Sequence, residues 1–214
     1  MQEVASAPAD AKALTPRFQA LATCCRIFYC LNYIELPEFF LENMQTWVAM
    51  FLHFLSYSNA ALEDPDELMV PGPVETLQTE IMACMALYAE KFDDDFEEHI
   101  PKFVDATWKL LQAASAGSVA SVPKYDGLVT QAIRFLSSVV SKSSQAQLFA
   151  NPATLQAMCQ SAVLPNMALR EADEIAFEEN PKEYIMRDIE GSSSETRRAA
   201  ASKMIKGLLV SFSQ

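Results

Sequence analysis

Chemistry in a chain needs nucleophiles, bases or metal ligands at workable spacings, and this sequence offers few of them. Its two histidines, His53 and His99, each fall on the pattern of an amphipathic helix, with no HExxH pair and no Ser-centred nucleophile elbow around them. Both are expected to be structural. The five cysteines, Cys24, Cys25, Cys30, Cys84 and Cys159, form no CxxC pair, are odd in number and sit inside apolar segments. They read as reduced, buried, small hydrophobes of an intracellular protein rather than a disulfide framework or a zinc site. The run GSVASVPKYDG around Gly117 lacks the GxxxxGK[ST] order that cradles phosphates. No catalytic, cofactor-binding or metal residue is assigned, and the protein is not expected to be an enzyme.

What remains is recognition chemistry, concentrated between Leu164 and Arg198. From Arg170 to Glu190 eight carboxylates, Glu171, Asp173, Glu174, Glu178, Glu179, Glu183, Asp188 and Glu190, face three basic residues, Arg170, Lys182 and Arg187. Among them stand Phe177, Tyr184 and Ile185, at spacings a solvated linker would not need. An acidic rim around aromatic anchors is the composition of a contact for a basic partner, or of a structured loop folded onto its own scaffold. The acid run Asp93–His99, by contrast, reads as a solvated first turn favoured by the helix dipole, and Trp47 and Trp108 as core.

Elements must position this segment, and the chain supplies helices. Half of its 214 residues are hydrophobic, only five are glycine, and the eleven prolines fall between apolar periodic segments. Residues 1–15 are small and polar and are expected to be a disordered start. Apolar residues at three-four spacing predict helices over 16–33, 37–57, 74–92, 96–114, 125–140, 152–168 and 195–212, with Asn151 capping the sixth and one of Ser192, Ser193 or Ser194 capping the last. Shifting the sequence by 56 positions lays Phe40, Met44, Val48, Leu52 and Leu55 onto Phe96, Ile100, Val104, Trp108 and Leu111. That register fits repeated HEAT-type pairs. The predicted architecture is an all-α, right-handed solenoid of about four helix pairs over 16–214, interrupted by an insertion at about 169–194. Its apolar end faces should make the isolated section prone to associate.

The formal charge of −12 disfavours nucleic-acid binding, which needs cations to displace counterions from phosphates. No uninterrupted apolar stretch of ~18 residues is present and the N-terminus lacks a signal-peptide layout, so a soluble protein without membrane insertion is expected.

The order of residues in ADEIAFEENPKEYIMRDIEGSSSETRRAA resembles the long insertion of the importin-α re-exporters, nuclear export receptors of the importin-β superfamily. Upstream, LPEFFLENMQTWVAMF, ALYAEKFDDDFEEHIPKFVDATWKLL and KYDGLVTQAIRFLSSV resemble successive helices of the same family, so the likeness runs from Leu21 to the C-terminus. It implies a central-left section of a receptor that shuttles between nucleus and cytoplasm, with the small GTPase Ran in its GTP form and importin-α as partners and no cofactor. The rival expectation is a generic HEAT-type scaffold, or a truncated section without transport activity of its own. In the family the insertion lies on the concave side, helps hold the receptor's halves and touches Ran. Carried over, the positions at stake are Asp173, Glu174, Phe177, Glu178, Glu179, Pro181, Tyr184, Arg187 and Asp188, with Arg197 and Arg198 beginning the next helix.

Overall fold

The computed structural model describes residues 11–114, 122–188 and 196–212, and among them every regular element is helical. Helix α1 spans Ala11–Asn32, α2 Glu38–Glu42, α3 Met44–Leu55 and α4 Pro73–Lys91. A short α5, Asp93–Phe96, and a 3-10 turn lead into α6, Ile100–Ala114. Then come α7, Asp126–Val140; α8, Pro152–Met158; a π-helical turn, Cys159–Val163; and α9, Leu164–Met167. Two short helices follow, α10 over Glu171–Glu179 and α11 over Pro181–Asp188, before α12, Arg197–Phe212.

These helices form two layers. In the first, α1 packs on α4, α4 on α7 and α7 on α12; in the second, α3 packs on α6, and α6 on the π turn after α8. Each pair is therefore one step of a solenoid, and neighbouring pairs bury a continuous core between them. The 56-residue register holds in part: Met44 and Ile100 are both buried, Leu55 and Leu111 likewise, and Leu52 and Trp108 are both half-buried, so Trp108 is not the core residue expected. Phe40 is half-buried where Phe96 is buried, and Val48 buried where Val104 is half-buried. Trp47 is core, 6% exposed, and its indole N–H donates to the Phe40 carbonyl at 2.9 Å. Its ring lies 4.9 Å from Tyr88 and 6.0 Å from Phe96, so it joins the first two repeats. The Tyr88 hydroxyl, fully buried, donates to Asn32 Oδ1 at 3.0 Å, which supplies the partner a buried phenol needs.

Local departures from expectation have local causes. Helix α1 begins at Ala11 instead of Pro16, because Leu14, four residues before Phe18, continues the buried stripe and Pro16 is accommodated inside the helix. The expected disordered segment is therefore too long, and residues 1–10 lie outside the described residues. Pro37 precedes its helix as an extended N-cap, and Asn43 divides the predicted second helix into α2 and α3. The sixth predicted helix widens into its π turn directly before Pro165, whose ring nitrogen cannot donate to the Ser161 carbonyl. Asn151 does cap α8, its side chain accepting from the Ala153 N–H at 2.9 Å. The predicted Ser192–Ser194 cap lies outside the described residues. Of the cysteines only Cys25 and Cys84 are buried; Cys24, Cys30 and Cys159 are exposed, because helical spacing puts them off the face that meets the next helix. Burial pushes the Cys25 thiol up to about 12 and that of Cys84 well above its ordinary value, so both are inert small hydrophobes. His99 is buried whereas His53 is exposed.

Candidate functional site: the insertion hairpin and its polar anchor

The acidic segment is a hairpin of two helices. Arg170 is the N-cap residue of α10, and its backbone N–H donates to Asp173 Oδ2 at 3.0 Å; its guanidinium has no acceptor, so only this half of a capping box forms. Asn180 ends α10, and Pro181, exposed, opens α11, while the Asn180 amide donates to Glu183 Oε2 at 2.8 Å and Asn180 Oδ1 accepts from the Glu183 N–H. Helix, cap, turn and helix thus follow from local sequence. No helix is predicted between 169 and 194 from apolar spacing, and α10 and α11 occupy Glu171–Glu179 and Pro181–Asp188 of that insertion.

What attaches the hairpin to the solenoid is ionic. Asp126, in the first turn of α7, receives a two-pronged contact from Arg170, whose terminal nitrogens donate to Oδ1 at 2.9 Å and to Oδ2 at 3.0 Å. Arg197, at the start of α12 and 6% exposed, places Nε 2.8 Å from the same Oδ1 off the line of a hydrogen bond, so that contact is ionic; a terminal nitrogen donates to the Val122 carbonyl at 3.4 Å. Arg198 donates to the Tyr184 hydroxyl at 2.7 Å and to Asp173 Oδ2 at 3.3 Å. Asp173 also accepts from Arg170 Nε at 3.3 Å. Two carboxylates therefore hold three guanidinium groups drawn from the hairpin and α12.

The electrostatics differ among the arginines. Hydrogen bonds to Asp126 push the Arg170 guanidinium further above its already high value. Burial pulls Arg197 down to about 10 against the attraction of Asp126, and the neighbouring Arg170 charge lowers it further. At neutral pH all three stay cationic, so removing a carboxylate would leave like charges facing one another.

The sequence-derived residues thus separate into two groups. Asp173, Tyr184, Arg197 and Arg198 come together in the anchor, whereas Glu174, Glu178 and Glu179 point to solvent. Arg187 and Asp188 belong to α11, but their side chains lie outside the described residues. Phe177 does not clamp the hairpin onto the solenoid as its apolar ring suggested. It remains 46% exposed and meets the Tyr184 ring edge to face, with centroids 5.7 Å apart, inside the hairpin itself. Ile175, Ile185 and Met186 are similarly exposed. Sequence reasoning missed Arg170 and Asp126 as anchor residues. The three-residue spacing of Arg170 and Asp173 is a readable signal; the pairing with Asp126 joins positions far apart in sequence and leaves none.

A family model described as Cse1 matches residues 1–214. The chain is 42% identical over 203 residues to Exportin-2 of Xenopus laevis and to Exportin-2 of Homo sapiens, covering 95% of this chain and 20% of each relative. Exportin-2 of Danio rerio is 41% identical over the same length. The chain thus spans about a fifth of the length of these curated relatives. A solved structure titled "The exportin Cse1 in its cargo-free, cytoplasmic state" superposes with a TM-score of 0.90 at 33% identity, covering 99% of this chain and 22% of that one.

Proposed function

The chain belongs to the Cse1 family, and on that premise we propose that it is a section of a nuclear export receptor that carries importin-α out of the nucleus in complex with Ran-GTP. The observation that carries the reading is 42% identity to exportins across 95% of the chain, which favours the receptor over a generic helical-repeat scaffold. Such a receptor shuttles through the nuclear pore between nucleus and cytoplasm. Its mechanism is linkage: two ligands that prefer one curvature of a flexible solenoid raise each other's affinity. No residue of this chain takes a chemical step in that scheme; GTP hydrolysis belongs to Ran.

Within this role the hairpin divides its labour. Glu174, Glu178 and Glu179, free of the anchor and facing solvent, are suited to a basic surface of Ran or importin-α. Phe177, exposed beside them, offers an apolar anchor, and Pro181 fixes the turn between the two helices. Arg187 and Asp188 continue the segment on α11. Asp173, Tyr184, Arg197 and Arg198 act as the hinge that sets the hairpin's angle to α7 and α12.

The test uses a full-length exportin-2 in which the equivalent stretch is replaced by this chain. Retention of importin-α on the chimaera only in the presence of Ran-GTP is the expected result. A chimaera that folds and still binds neither partner would overturn the reading.

A further inference from the structure

The loop between α3 and α4 presents a run of apolar side chains to solvent. Leu68, Met69 and Val70 follow one another there at 50%, 67% and 60% exposed, and Pro71 beyond them is exposed as well. Single apolar side chains scattered over a surface need no explanation, whereas three in succession mark a contact. Nor is the loop slack. Asp64 Oδ1 accepts from the Asp66 and Glu67 N–H groups at 3.0 and 3.3 Å, and Glu67 Oε1 accepts from those of Met69 and Val70 at 2.7 and 3.0 Å. The Leu68 carbonyl accepts from the Lys124 N–H at 3.0 Å, and Lys124 Nζ donates to the Asp64 carbonyl at 3.1 Å. With its backbone held in this way, the loop gives up little freedom when a partner covers the three side chains.

The turn that braces the loop also carries the hairpin. Lys124 holds the loop, while Asp126, two residues on, holds Arg170, and the Val122 carbonyl, two residues back, accepts from Arg197. Residues 122–126 span at most about 14 Å of chain. The loop and the hairpin therefore stand side by side on one edge of the solenoid. Their surfaces have the same make-up: Glu63, Asp64 and Asp66 are exposed ahead of the apolar triplet, as Glu174, Glu178 and Glu179 are exposed around Ile175 and Phe177.

We propose that Leu68, Met69 and Val70 form a second contact for the partner that meets the hairpin, a folded protein with an apolar cleft set in a cationic surface. The acids on both segments select the basic surround, and the triplet fills the cleft. One partner covers both segments because they are braced on the same five residues. The second contact rests on the export-receptor reading and adds to it a site between α3 and α4, outside the insertion.

The test uses a full-length exportin-2 carrying this chain, mixed with Ran-GTP and importin-α. A benzophenone amino acid is placed at Met69 in one receptor and at Phe177 in another, both exposed positions. Irradiation of the assembled complexes should join the two positions to the same partner chain. In a third receptor, Leu68→Ser, Met69→Ser and Val70→Ser together should weaken assembly about tenfold, as truncation of apolar anchors does. Failure of the two positions to reach the same partner chain, or unchanged affinity in a folded triple variant, would each overturn the second contact. An unaltered receptor that assembles with neither partner overturns the export-receptor reading itself, and the second contact with it. Should the triple variant fail to fold, the crosslinks decide alone.

Discussion

Asp126 neutralises Arg170 and Arg197 at once, so its loss exposes each guanidinium to the other. Because Asp126 is itself 40% exposed, Asp126→Asn should cost about 2 kcal/mol of unfolding free energy, less than a fully buried pair would. Urea titration measures it, and a loss within error of zero would show the anchor to be solvated decoration. His99 offers a different residue-scale test. Burial lowers its pKa below the ordinary value of about 6.5, which makes the folded state resist protonation there. A depressed folded value means the stability is present above about pH 6.5 and is lost as pH falls through the lower, folded value. Between about pH 7 and about pH 5 the native chain should therefore lose more stability than His99→Phe. Parallel declines in the two denaturation midpoints would contradict this.

At the scale of elements, the hairpin of α10 and α11 is internally packed and externally tethered, and the two kinds of contact can be separated. Phe177→Ala removes a half-exposed ring from an edge-to-face pair and should cost only about 1 kcal/mol, leaving the hairpin docked. Arg170→Ala removes both the tether to Asp126 and a partner of Asp173, and should make residues 168–188 sensitive to protease before the solenoid melts. If F177A opens the segment as readily as R170A, the apolar contact and not the ion network holds it. The sequence made the long helices readable because their stripes repeat at three-four spacing, as at Met44, Val48, Phe51 and Leu55. It hid α10 and α11, where acids dominate and no side chain of α10 is buried, so apolar periodicity had little to register.

At the scale of the whole molecule, the receptor role proposed for this chain is tested within a full-length exportin-2 that carries it. Reversing Glu174, Glu178 and Glu179 to Lys in a full-length receptor carrying this section should slow assembly with Ran-GTP and importin-α, most strongly at low salt, where screening beyond ~8 Å is weakest. Asp173 is left intact because it belongs to the anchor. Stopped-flow rates that match the unaltered receptor at low and high salt would remove these acids from recognition. By itself the sequence determined the all-helical repeat, the pairing register between Met44 and Ile100, the Asn151 cap and the acidic character of the hairpin, since each depends on local spacing or composition. Only the tertiary structure decided that Phe177 stays half-exposed and that Asp126 ties Arg170 to Arg197. Those outcomes turn on which helix ends meet across the two layers. Ion pairs and shared acceptors between distant positions leave no periodicity for a chain to display.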